Sequence, residues 1–93
     1  SMGAFLLSGG KKRYALPNSE VMIHEPSTGM NGNASDIFNH AKWLEKLKYK
    51  VDSILAKNTK HTIKEIEEAT LRDKFMDALE ALEFNIIDEI LQN

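Results

Sequence analysis

The sequence predicts an α/β fold with long helices and short strands, on three observations. An apolar stripe of helical period runs through the middle of the chain. Capping signatures mark helix boundaries after it. Short apolar, β-branched runs bounded by turn residues lie near both ends.

Taken in order, "GAFLLSGG" reads as a short buried helix closed by Gly9 and Gly10, because glycine takes the left-handed cap freely. "KKRYALPN" reads as a brief strand entering a turn at Pro17-Asn18. "EVMIH" reads as a buried strand ending at His24, and Pro26 keeps Glu25 extended. "STGMNGN" follows as an extended or flexible segment. The strongest helix opens at "SDIF", with Ser35 as the expected N-cap and Asp36 near the positive end of the dipole. Ile37, Ala41, Leu44, Leu47, Val51 and Ile54 recur at steps of 4, 3, 3, 4 and 3. Lys42, Glu45, Lys46, Asp52 and Lys57 fall largely off that stripe. The helix is expected to reach about Lys57, on the order of 30 Å at 1.5 Å per residue. That is long for a small chain, so the stripe calls for surface from elsewhere, such as another subunit. Thr62 followed by Glu65 forms a capping-box pattern for a second helix. "MDALEALEF" reads as a third, with Asp77 in its first turn and Asn85 suited to a left-handed C-terminal cap. "IIDEIL" reads as a closing strand.

With 93 residues the chain fits one small domain, and with 42% hydrophobic and 28% charged residues it has a globular profile. A net charge of −2 without a basic patch argues against a nucleic-acid partner. The absence of cysteine excludes disulfides and thiolate zinc sites. The longest apolar run, Ala4 to Leu7, is too short to cross a membrane. The opening residues lack the flanks of a signal peptide, so a reducing, soluble compartment is expected. No pair of histidines has metal-ligand spacing.

Three residues offer nucleophilic chemistry: Ser1, His24 and Asp73. A serine hydroxyl needs a base to remove its proton, and a carboxylate fixes that base's tautomer. Ser1 precedes Gly3 and Ala4 at a helix start, where small residues allow close approach. His24 ends a strand, which holds a base rigidly. Each has a plainer reading: a hydrogen-bonded structural histidine for His24, a surface ion pair for Asp73 within "LRDKF". His40 lies on the long helix, on a face or an interface, and His61 in a polar, solvated turn.

The motifs "SMGAFLL", "VMIHEP" and "RDKFM", in this order, resemble the ClpP family, the proteolytic subunit of the ATP-dependent Clp protease. "ALEALEFNIIDEIL" resembles that family's closing segment, so the likeness spans the chain. The resemblance implies a crotonase-like spiral fold and a serine endopeptidase with Ser1 as nucleophile, His24 as base and Asp73 as acid. It divides the chain into a nucleophile helix and base strand (1–24), a protruding handle (25–60) and an acid-bearing segment with helix and closing strand (61–93). Ser27, Thr28, Gly29 and Met30 would line the substrate groove, pairing with the peptide as an added strand. His40 and Arg72 would lie at oligomer interfaces. The implied partners are a polypeptide substrate, a Clp-type AAA+ unfoldase and further copies of the chain in heptameric rings, with no cofactor and no membrane. The implied location is a bacterial cytoplasm or an organelle matrix.

The sequence departs from the family pattern in places. Glu25 replaces a glutamine beside the base, Thr28 replaces a glycine, and Leu71 replaces an acid before Arg72. Asn85 stands for a glycine, and the loop after Gly10 is about two residues short. Family members carry roughly a hundred residues before the nucleophile, including the oxyanion glycines, so the chain by itself is expected to be inactive or nearly so. Losing one oxyanion donor costs about 10²–10³ in rate. Two other readings stand beside this one: a non-catalytic fragment that oligomerises through the long helix, and a Ser1 nucleophile activated by its own α-amine.

Overall fold

The computed structural model describes residues 2–26 and 32–92. Eight elements follow in order: α1 (Met2–Ser8), β1 (Tyr14–Ala15), β2 (Glu20–Ile23), α2 (Ala34–Thr59), α3 (Ile63–Thr70), β3 (Lys74–Asp77), α4 (Ala78–Glu83) and β4 (Glu89–Ile90). The mixed helix and strand content fits the expected α/β class. Residues 27–31, most of the segment read as extended or flexible, lie outside the described residues.

The strands form two separate pairs. β1 runs parallel to β4, with Tyr14 opposite Glu89 and Ala15 opposite Ile90. β2 runs antiparallel to β3, from Glu20 opposite Asp77 to Ile23 opposite Lys74. One core cluster gathers Ala4, Ile23, Met76, Ala81, Ile86 and Ile87, and so ties α1, β2, β3, α4 and the turn before β4 together. A smaller cluster of Leu55, Ala56 and Ile66 joins α2 to α3.

Several boundaries differ from the sequence reading. The N-cap of α2 is Asn33, whose side chain accepts from the Asp36 N–H at 3.0 Å, and Ser35 lies inside the helix. Asparagine caps as well as serine, and it comes first. α2 continues to Thr59, about 39 Å at 1.5 Å per residue. It stops where Lys60 turns left-handed (φ 62) and the His61 N–H reaches the Ala56 carbonyl at 3.0 Å. Met76 and Asp77, read as the start of the third helix, instead end the strand β3, because the backbone of 74–77 pairs with β2. Asp77 is therefore the N-cap of α4 and not part of its first turn, and it shares a reciprocal capping box with Glu80. The capping box of Thr62 and Glu65 opens α3 as expected.

α4 closes on Asn85, at φ 69. The Ile86 N–H reaches the Ala81 carbonyl and the Asn85 N–H the Leu82 carbonyl, each at 3.0 Å, which makes a Schellman closure. Asparagine tolerates that geometry at small cost.

α2 is two helices in environment. Its described side chains up to Trp43 are exposed, and even Ile37 and Ala41 of the apolar stripe face outward. The buried positions cluster near the other end: Asp52, Leu55, Ala56 and Thr59. Asp52, read as a surface residue from the stripe, is only 1% exposed. The face that meets α3 is turned away from the stripe's own line, and this brings Asp52 inside.

α1 is half-buried rather than buried. Ala4 and Ser8 are inside, whereas Met2 and Leu6 are exposed. No helix among the described residues is long and apolar enough to cross a membrane.

Candidate active site

The candidate residues hang from the first core cluster. His24 directly follows Ile23, Asp73 lies three residues before Met76, and α1, which follows Ser1, contributes Ala4. A buried anchor close in sequence restrains His24 and Asp73 more than a free loop would. Ser1 itself lies outside the described residues, as do Ser27, Thr28, Gly29 and Met30. Near the start of α1, a Cβ placed on Gly3 would meet nothing within 4 Å, so the helix leaves room there.

The β2–β3 register brings His24 and Asp73 to the same end of one strand pair. Ile23 faces Lys74, and continuing the antiparallel count by one residue puts His24 opposite Asp73. Beyond them the Glu25 N–H donates to the Thr70 carbonyl at 3.2 Å, which ties the strand end to α3. The side chains have not joined. His24 Nδ1 lies 2.7 Å from the Glu25 carbonyl, so the imidazole donates there. Among the described residues Asp73 makes no hydrogen bond to His24 and no ion pair with Arg72 or Lys74. Asp73 and Arg72 are exposed, and His24 is half-buried. The surface-ion-pair reading of Asp73 therefore has no support in the geometry.

The closing segment packs into the same cluster. "FNIID" places Ile86 and Ile87 in the core beneath β2 and α1, and positions Asp88 for the Arg13 side chain. Across the whole chain, residues 1–93, the sequence matches the family model for Clp protease. The chain belongs to the Clp protease family. In this Clp protease chain α1, β2 and β3 thus meet in one cluster, with His24 just after β2 and Asp73 just before β3.

The strongest electrostatic feature lies at the other strand pair. Arg13 donates from Nη2 to Asp88 Oδ1 at 2.7 Å and from Nε to Asp88 Oδ2 at 2.9 Å. The backbone N–H of Arg13 adds a third bond to Oδ2 at 2.9 Å, and its Nη1 donates to the Asn58 carbonyl at 3.0 Å. The Arg13 hydrogen bonds hold the Asp88 carboxyl down at about 2. Asp88 in turn raises the Arg13 guanidinium. This fork joins the loop after α1, the end of α2 and the start of β4. It is a structural staple that no local pattern in the sequence announces, because 75 residues separate the partners.

The other two histidines also find definite places. His40 is exposed on the outer part of α2. His61, expected to be solvated, instead packs on the Phe84 ring at 4.2 Å. Its Nε2 lies 3.0 Å from the Phe84 carbonyl and its Nδ1 3.3 Å from Glu65 Oε2. The left-handed turn at Lys60 carries it back over α4, and this explains the difference. Among the described residues no group of three or more His, Cys, Asp or Glu could hold a metal.

Proposed function

We propose that the chain is the catalytic part of a ClpP-type serine endopeptidase subunit acting on unfolded polypeptide, with Ser1 as nucleophile, His24 as base and Asp73 as acid. The observation that supports this most is the β2–β3 register, which sets His24 opposite Asp73 one step beyond Ile23 and Lys74. In the working cycle His24 Nε2 takes the Ser1 hydroxyl proton as Oγ attacks the scissile carbonyl, then returns it to the leaving amine. Asp73 accepts from Nδ1 and stabilises the imidazolium. The described conformation gives Nδ1 to the Glu25 carbonyl instead, so chemistry requires the imidazole to leave that carbonyl for Asp73. The chain on its own is therefore slow or idle in this reading.

Ser27 to Met30 would pair with the substrate backbone. The exposed outer part of α2, with Phe38, Trp43 and Tyr49 each about 60% exposed, supports the handle role and a ring partner there. His40 and Arg72 would join such contacts, and a Clp-type unfoldase would deliver substrate. A crotonase-like spiral would be the complete fold, and a bacterial cytoplasm or organelle matrix the compartment.

A fluorophosphonate probe followed by peptide mapping tests the reading. The expected result is slow modification of Ser1, absent in Ser1→Ala, without robust hydrolysis of unstructured peptides by the chain alone. A defined oligomer with no modification at Ser1 would favour the assembly fragment instead.

A further inference from the structure

His61 takes no part in the proposed triad, yet both of its ring nitrogens are engaged. Nε2 lies 3.0 Å from the carbonyl of Phe84, the C-cap of α4, and Nδ1 lies 3.3 Å from Oε2 of Glu65, in the first turn of α3. A backbone carbonyl only accepts hydrogen bonds, and so does an ionised carboxylate. Glu65 is ionised wherever an imidazole titrates, because the Thr62 backbone N–H and then the His61 ring hold its carboxyl below the usual carboxylate range. Two acceptors call for two N–H donors, and only the imidazolium has both. A cation also suits the carbonyl end of a helix. The ring lies over Phe84 with centroids 4.2 Å apart, which fixes its plane from one side. Around it stand Glu65 from α3, Glu80 and Glu83 from α4 and Lys74 from β3, with Lys60, just past α2, next in the chain. Glu65 Oε1 meanwhile accepts from the Thr62 N–H at 2.9 Å and so closes the capping box of α3. The ends of α2 and α4 are tied a second time, by Asn85 Nδ2 donating to the Thr59 carbonyl at 3.2 Å, a bond with no titratable member.

We propose that His61 is a pH-sensitive clamp: as the imidazolium it ties the first turn of α3 to the C-terminal end of α4, and on losing the Nδ1 proton it lets go of α3 while staying on α4. The shorter contact, to the Phe84 carbonyl, keeps the remaining proton, so the neutral ring is the Nε2–H tautomer. Its bare Nδ1 then faces the Glu65 carboxylate, lone pair against lone pair, and Glu65 Oε2 turns away. The Asn85–Thr59 bond does not change with protonation, and so α2 and α4 keep their joint. The responsive part is the Thr62–Glu65 capping box. α3 runs from that box to Thr70, whose carbonyl receives the Glu25 N–H. The clamp is independent of the triad assignment.

The test is an NMR pH titration of the whole chain between about pH 5 and about pH 8.5, round limits either side of an ordinary imidazole at about 6.5. It follows the His61 ring nitrogens, the Glu65 carboxyl carbon and the Thr62 amide. In the wild type, the ring nitrogens should report the imidazolium at the acid end and the Nε2–H tautomer at the alkaline end. The Glu65 carbon and the Thr62 amide should step at the His61 midpoint. Hydrogen exchange of the Thr62 amide, corrected for its intrinsic pH dependence, should rise severalfold across that step. His61→Gln should abolish the step and the rise. Glu65→Gln keeps an oxygen for the Thr62 N–H, so it should leave His61 titrating and shrink the rise severalfold, and it serves should His61→Gln fail to fold. A ring already neutral at the acid end, an Nδ1–H tautomer at the alkaline end, or a Thr62 response unchanged in either variant would overturn the proposal. None of these readouts involves Ser1, so failure of the clamp and failure of the triad assignment are separable.

Discussion

The two strand pairs of this small protein are finished differently. The β1–β4 pair ends in a fork of hydrogen bonds from Arg13 to Asp88, with a further bond to Asn58. The β2–β3 pair ends in His24 and Asp73, opposite each other in register and unjoined. One end is satisfied and holds the chain together. The other leaves a half-buried imidazole bonded to the Glu25 carbonyl and an exposed carboxylate without an ion pair among the described residues. In the proposed reading, stability and chemistry thus sit at opposite finishes of the same core.

Four changes should break or sharpen this contrast. The largest effect belongs to the unjoined end. Asp73→Asn should slow Ser1 modification by about 10²-fold or more, since an acid that fixes the histidine tautomer commonly contributes at least that. Its melting temperature should barely move, because exposed substitutions shift stability by less than about 0.5 kcal/mol. Arg13→Ala should do the reverse: a loss of about 2 kcal/mol by urea unfolding, since several charge-assisted bonds go at once and the Asn58 carbonyl loses its donor.

Acid should weaken the same staple. The Asp88 carboxyl is depressed to about 2 in the fold, against an ordinary value of 3.8. The unfolded chain therefore takes up its proton first as pH falls, and the contribution, full above about pH 4, is lost as pH passes through about 2. Melting curves between pH 5 and 2, taken as round experimental limits of that window, should show the loss, and Asp88→Asn should flatten it. Asp52 has the opposite sign. Burial raises its carboxyl and makes the ionised form the costly one, and its partner Lys48 is 27% exposed and can turn to water, so Asp52→Asn should leave stability at neutral pH unchanged or higher by about 1 kcal/mol, without the loss expected when a fully buried partner is stranded. A clear loss of melting temperature at pH 7 would show that the Lys48 pair is stabilising on balance.

Much of the fold is legible in the sequence because it depends on local chemistry. The Thr62–Glu65 capping box, the left-handed Asn85 and the brief closing strand each follow from residues within one turn of where they act. What escapes is set by partners far along the chain. β3 is a strand because β2 lies beside it, although "MDALE" by itself favours helix. Asp52 is buried because α3 meets α2 off the line of its apolar stripe. Arg13 finds Asp88, and His61 finds Phe84, across separations that no periodicity records. In the candidate site, motif order marks His24 and Asp73, but the competing Glu25 carbonyl is a backbone group and leaves no trace in residue type.

The most direct measurement is the rate of Ser1 modification by a fluorophosphonate in His24→Ala, at a temperature where it and the wild type are both folded. The account predicts a fall of about 10²-fold or more with an unchanged melting temperature, as loss of a general base requires. Modification at the wild-type rate would contradict it.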